Sequence, residues 1–133
     1  MNDNFWKPYR ESSQRYLPAI TSARWVRRFQ LGSYRIMVGT DCDSVGATCY
    51  IHVVYIYKEI DKDQPYLAVT SEYARDLVSP DSPCLCLFFG GKHLNMGPSP
   101  AYVDLKFFTQ KALEVIVDPL GASSETLKEL PLD

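Results

Sequence analysis

Cysteines stand at positions 42, 49, 84 and 86 and histidines at 52 and 93. A glycine-rich stretch runs Gly90-Gly91-Lys92-His93-Leu94-Asn95-Met96-Gly97. Thiolates that share one tetrahedral zinc usually come in pairs separated by two to four residues. Cys42 and Cys49 are too far apart for that pattern. Cys84-x-Cys86 is the i, i+2 spacing of a strand inside an apolar run, where buried thiols pack as small hydrophobes. The cysteine spacing therefore predicts no metal, and no cofactor motif is present.

Asp41-Cys42-Asp43-Ser44 sets two carboxylates around a thiol. Such a group could ligate a cation or activate a nucleophile, but flanking carboxylates disfavour the thiolate that a reactive cysteine needs. Asp, Ser and the nearby Gly46 are common turn residues, so the segment reads as the turn after a strand.

The Gly90–Gly97 stretch reads as a loop from a buried strand to a helix N-terminus, where backbone N–H groups can hold an anion. Lys92 would add charge, His93 a proton donor and Asn95 a hydrogen-bonding amide. Arg27, the one charge expected among Trp25, Phe29 and Val38, joins them as a candidate ligand contact. The stretch matches neither G-x-x-x-x-G-K-[ST] nor G-x-G-x-x-G. There is no G-x-S-x-G elbow for a serine nucleophile, and no carboxylate spacing marks a hydrolase. No catalytic residue is assigned. His52 alternates with Tyr50 and Val54 and reads as a hydrogen-bonded core histidine.

Two function classes follow. The first is a non-catalytic protein-interaction or accessory domain that self-associates. The second is a small enzyme or anion binder at the Gly90–Gly97 loop, favoured if Lys92 and His93 meet Asp41 or Asp43. Charge supports the first. Residues 1–35 carry seven basic and two acidic side chains, a surplus of five positive charges. The remainder carries seven basic and fourteen acidic, a surplus of seven negative. Arg24, Arg28 and Arg35 fall on one strand face and form the expected interaction surface. That surface suits an acidic protein partner or the acidic part of a second copy, hence a homodimer. The acidic whole, with pI about 5.6, argues against nucleic acid.

These residues need elements to hold them. Arg24 to Leu31 and Tyr34 to Thr40 flank Gly32-Ser33, a Gly-first pair suited to a II′ hairpin. That hairpin opposes Leu31 to Tyr34, Phe29 to Ile36 and Arg27 to Val38. One face would then read Trp25, Arg27, Phe29, Leu31, Tyr34, Ile36, Val38. Thr48 to Glu59 is apolar on both alternating sets, the mark of a strand covered on two sides. Tyr66 to Ser71 is its partner, and Cys84 to Phe89 is a further buried strand. Ser99 and Pro100 suit a helix start. Ala101, Leu105, Phe108, Ala112, Val115 and Ile116 repeat at helical spacing, and Pro119 with Gly121 ends the helix.

The expected fold is α+β: a four- to five-stranded, mostly antiparallel, meander-like sheet packed by one long C-terminal helix, with a short N-terminal helix or lid over Lys7 to Tyr16. Residues 1–22 form the N-terminal segment, 23–121 the single domain and 122–133 a polar tail. No run approaches the roughly 18 apolar residues of a membrane span. Met1 to Trp6 lacks the basic head and apolar run of a secretory leader. With the unpaired cysteine pattern, this predicts a cytoplasmic protein.

Overall fold

The computed structural model describes residues 6–8, 17–44, 48–73 and 82–132, the first three through their backbone. The strands are β1 (Trp6–Pro8), β2 (Ile20–Leu31), β3 (Tyr34–Ser44), β4 (Cys49–Lys58), β5 (Leu67–Tyr73), β6 (Cys84–Phe89), β7 (Lys92–Pro98) and β8 (Leu127–Leu130). They form one antiparallel sheet in the order β1-β7-β6-β5-β4-β3-β2-β8. From β2 to β7 it is a simple meander. The α+β class and antiparallel meander agree with the sequence reading; the strand count does not. Eight strands replace four or five because three segments without a strand-like apolar pattern pair through their backbones. Trp6–Pro8 lies along β7, Lys92–Pro98 along β6 and Leu127–Leu130 along β2. Lys7 and Pro8 are thus strand rather than helix, and residues 9–16 lie outside the described residues.

The first hairpin keeps the expected register, with Leu31 opposite Tyr34, Phe29 opposite Ile36 and Arg27 opposite Val38. Gly32 has φ 60°, the sign that the first position of a II′ turn requires. One shift changes the outcome beyond Arg27. A bulge between Trp25 and Arg27 leaves Trp25 opposite Gly39. An extra residue in one strand reverses the facing of everything past it. Trp25 therefore leaves the face of Phe29 and joins that of Met37. Asp41 to Ser44 continue β3 instead of turning, with Asp41 at φ 52°.

The helical region is two capped pieces. Ser99 accepts from the Ala101 N–H at 3.2 Å and caps a 3-10 turn, Pro100–Val103. Asp104 accepts from the Phe107 N–H at 2.8 Å and caps α1 (Leu105–Val115). Ile116 leads into α2 (Val117–Leu120), which Gly121 ends at φ 62°. Two successive side-chain caps move the helix start five residues past the Ser-Pro signal. Phe108, Ala112, Ile116 and Leu120 form the buried stripe. They pack on Phe29, Leu31, Ile36, Val38, Val54, Ile56, Leu67, Val69, Leu85, Leu87 and Leu94. No helix among the described residues is long and apolar enough to cross a membrane.

His52 is buried on this side. Its Nδ1 lies 2.8 Å from the Thr40 hydroxyl and its Nε2 2.6 Å from the Val103 carbonyl. The carbonyl can only accept, so Nε2 carries the proton and Nδ1 accepts from Thr40. The ring also packs against Phe108, with centroids 5.4 Å apart.

Candidate functional site

The second sheet face, away from α1, divides into two parts. Strand alternation sends Tyr50, Ala68, Cys84, Cys86 and Phe88 there as a buried cluster, with Leu17, Ile20, Cys42 and Tyr55 packed against it. Leu17 and Ile20 come from the stretch preceding and opening β2. That explains half of the doubly apolar character of β4: one side meets the helix region and the other meets this cluster.

Beside the cluster, an open groove of about 290 Å³ is lined by residues that include Trp25, Arg28, Arg35, Met37, Tyr57 and Lys62. Trp25 is 37% exposed, yet its ring is well seated. It lies over Gly39, where an added Cβ would meet its Cε3 and Cζ3 at 2.9 Å. Its centroid is 5.7 Å from that of Tyr55, and Tyr55 meets Tyr57 edge-on at 6.2 Å. Burial pushes the Tyr55 hydroxyl up to about 12, with Tyr57 adding to it. The Arg28 guanidinium donates to the Pro131 carbonyl at 3.1 Å. Arg35 reaches Glu59 only at 3.4 Å, and its Nε is a buried atom with no hydrogen-bond partner among the described residues.

Of the expected interaction surface, Arg28 and Arg35 share the groove wall, while Arg24 pairs with Asp41 at 2.8 Å. Arg27 lies toward the helix side at the β8 edge. It holds Glu129 through two bonds of 2.9 and 2.8 Å, and its guanidinium lies 4.9 Å from the Phe29 ring centroid. These hydrogen bonds hold the Glu129 carboxyl below its ordinary range and raise the Arg27 pKa.

The glycine-rich stretch is a hairpin followed by a strand. Gly90 and Gly91 have φ 62° and 78°, the pair of positive angles of a I′ turn, and Lys92 to Pro98 continue as β7. Alternation sends Lys92 and His93 to opposite faces. Asn95 Oδ1 accepts from the Gly97 N–H at 2.8 Å. Asp41 and Asp43 sit on β3, four strand spacings from β7, or about 19 Å at about 4.8 Å each. The expected meeting of Lys92, His93 and Asp41 or Asp43 does not form. A loop over residues 90–97 and a Gly-Gly turn leading into a polar edge strand carry the same residue types, and only the pairing partner distinguishes them.

His93 instead faces a group that sequence reasoning missed. Its ring stacks on Phe88, with centroids 4.4 Å apart and planes at 10°. Its Nε2 lies 3.5 Å from Oε2 of Glu72, a carboxylate only 2% exposed. Glu72 Oε1 accepts from the Thr70 hydroxyl. The Cys86 sulfur completes the group: one donor atom each from Glu72, Cys86 and His93 lie within 4.8 Å of one another. Little in the sequence signals it, because Glu72 follows Ala68 and Thr70 in a part-polar alternating set and lies just past the strand expected to end at Ser71.

Burial pushes the Cys42 thiol from an ordinary 9.0 to about 11, and Asp41 adds to the shift. Compared with family models, curated proteins and solved structures, the chain matches none.

Proposed function

We propose that this chain is a non-catalytic protein-interaction domain that holds an acidic, partly apolar peptide segment of a partner in the Trp25 groove. The observation that carries it is the combination within that groove: an exposed Trp25 seated on Gly39, with Met37 and Tyr57, ringed by Arg28, Arg35 and Lys62. Aromatic residues and arginine supply most of the binding free energy at protein interfaces, and complementary charge steers the encounter. A second copy is the weaker occupant. A twofold interface would set Arg28, Arg35 and Lys62 against their own counterparts, a like-charge contact that costs free energy. No disulfide joins the four cysteines, a pattern that suits a reducing compartment, and a cytoplasmic location is part of this proposal.

The test is an NMR titration of the full chain with a synthetic peptide alternating Asp or Glu with Leu or Phe. The expected result is shifts centred on Trp25, Arg28, Arg35, Met37, Tyr57 and Lys62 that weaken with salt and vanish in Arg28→Glu/Arg35→Glu. Shifts that persist in the double variant overturn the reading. So does light scattering at twice the 15.1 kDa chain mass with Trp25 withdrawn from solvent, which would give the face to a homodimer.

A further inference from the structure

We propose that Glu72, Cys86 and His93 form a three-ligand binding site for zinc or a zinc-like divalent transition ion. They come from three neighbouring strands, β5, β6 and β7, and share the second sheet face. A nearly dry carboxylate is costly unless it is paired or coordinates a metal. Glu72 is 2% exposed and Cys86 1%. Oε1 of Glu72 is held by Thr70, which leaves Oε2 turned toward His93.

The spacing favours coordination over a simple hydrogen bond. At 3.5 Å, Nε2 and Oε2 are farther apart than the usual N–H···O bond of about 2.9 Å. Around tetrahedral zinc, bond lengths of about 2.0 to 2.3 Å place neighbouring donors about 3.3 to 3.6 Å apart. The Glu72–His93 pair already has that separation, and the sulfur lies within 4.8 Å of both donors. Stacking on Phe88 holds the imidazole plane, and Thr70 orients the carboxylate as outer partners of metal ligands do. One oxygen, one nitrogen and one sulfur donor suit a borderline-soft ion rather than calcium or magnesium. Three protein ligands leave the fourth position to water or an incoming group, the coordination of zinc sites that stay open. Binding expels the Cys86 thiol proton to solvent, so affinity falls as pH falls.

This assignment departs from the expectation drawn from cysteine spacing. That spacing addresses paired thiolates, whereas here a single thiol meets a histidine and a glutamate across a sheet. It also stands apart from the Trp25 groove, so either reading can fail alone.

The experiment titrates the metal-stripped full chain with zinc chloride by calorimetry and with cobalt(II) by absorption. One ion per chain, a raised melting temperature and a thiolate-to-cobalt charge-transfer band are expected. The band should vanish in Cys86→Ser and persist in Cys42→Ser/Cys49→Ser and in Cys84→Ser. His93→Gln should weaken zinc by about tenfold or more, and the metal-free variant, whose amide still offers Glu72 a hydrogen-bond donor, should remain folded, if less stable than the parent. Absence of stoichiometric binding overturns the proposal, and so does a charge-transfer band that survives Cys86→Ser. If Cys86→Ser does not fold, His93→Gln decides, because undiminished zinc affinity in that variant overturns the proposal as well.

Discussion

On its helix side the sheet presents Ile36, Val38, Val54, Ile56, Leu67, Val69, Leu85 and Leu87 to Phe108, Ala112 and Ile116. On the other side it presents Ala68, Cys86 and Phe88 with Thr70 and Glu72 in one part, and Trp25, Met37 and Tyr57 with Arg28 and Arg35 in the other. The first face is almost wholly aliphatic. Its polar exceptions are satisfied: His52 by Thr40 and Val103, and Ser71 by the Tyr102 carbonyl at 2.7 Å. Such a face can be closed by any complementary apolar helix, and its work is stability. The second face carries a buried carboxylate, a thiol and an imidazole in one place and an exposed Trp25 and half-buried Tyr57 with cations in another. Neither arrangement is the cheapest way to fill a core, so the second face is where function is to be sought.

The comparison is broken or sharpened first by cutting equal volumes from both sides. Phe108→Ala and Phe88→Ala remove fully buried rings, and each should cost about 3–5 kcal/mol by urea denaturation. A Phe88→Ala cost below about 1 kcal/mol would show that the second face is wet in solution. His52→Leu should cost less, about 1–3 kcal/mol, because it strands the Thr40 hydroxyl and the Val103 carbonyl. A variant as stable as the parent would mean that the histidine is filler.

Gly39→Ala is smaller again in stability but larger in consequence for the groove. The new methyl would meet the Trp25 ring at 2.9 Å, so the ring must shift, at about 1 kcal/mol or somewhat more. Acidic-peptide affinity should fall although no lining side chain is removed. Unchanged affinity would mean that the Trp25 pose is not part of the site. The smallest effect is at Cys42. Its folded pKa of about 11 exceeds the ordinary 9.0, so the neutral thiol's stabilisation is intact below pH 9 and is lost as pH rises toward 11. Cys42→Ala should flatten the alkaline decline of stability across that window; an identical decline would assign it to other groups.

Much of the helix-side face was legible beforehand, and the second face was not. Phe108, Ala112 and Ile116 announce themselves by a 3.6-residue period, and Phe29, Ile36, Val54 and Ile56 by a period of two. Both are local patterns. The Gly32-Ser33 turn was legible for the same reason, because two residues set the register of the hairpin. What misled was the residue type of Lys92 to Pro98 and Leu127 to Leu130. These edge segments are polar, and a strand held by backbone bonds at a sheet margin needs no apolar pattern.

By itself the amino-acid order determined the antiparallel meander, the core face of the first hairpin from Arg27 onward, the buried His52 and the C-terminal helix stripe. Each depends on neighbours a few positions away, and that is the range over which periodicity and turn chemistry act. Only the tertiary structure decided that one bulge at Val26 sends Trp25 to the outer face. Only it decided that β1, β7 and β8 extend the sheet, and that Glu72, Cys86 and His93 converge. Those outcomes turn on which strand lies beside which. The approach of side chains 14 and 21 positions apart, Glu72 to Cys86 and to His93 across β5, β6 and β7, is selected by the burial free energy of the whole sheet, a quantity that no local window contains.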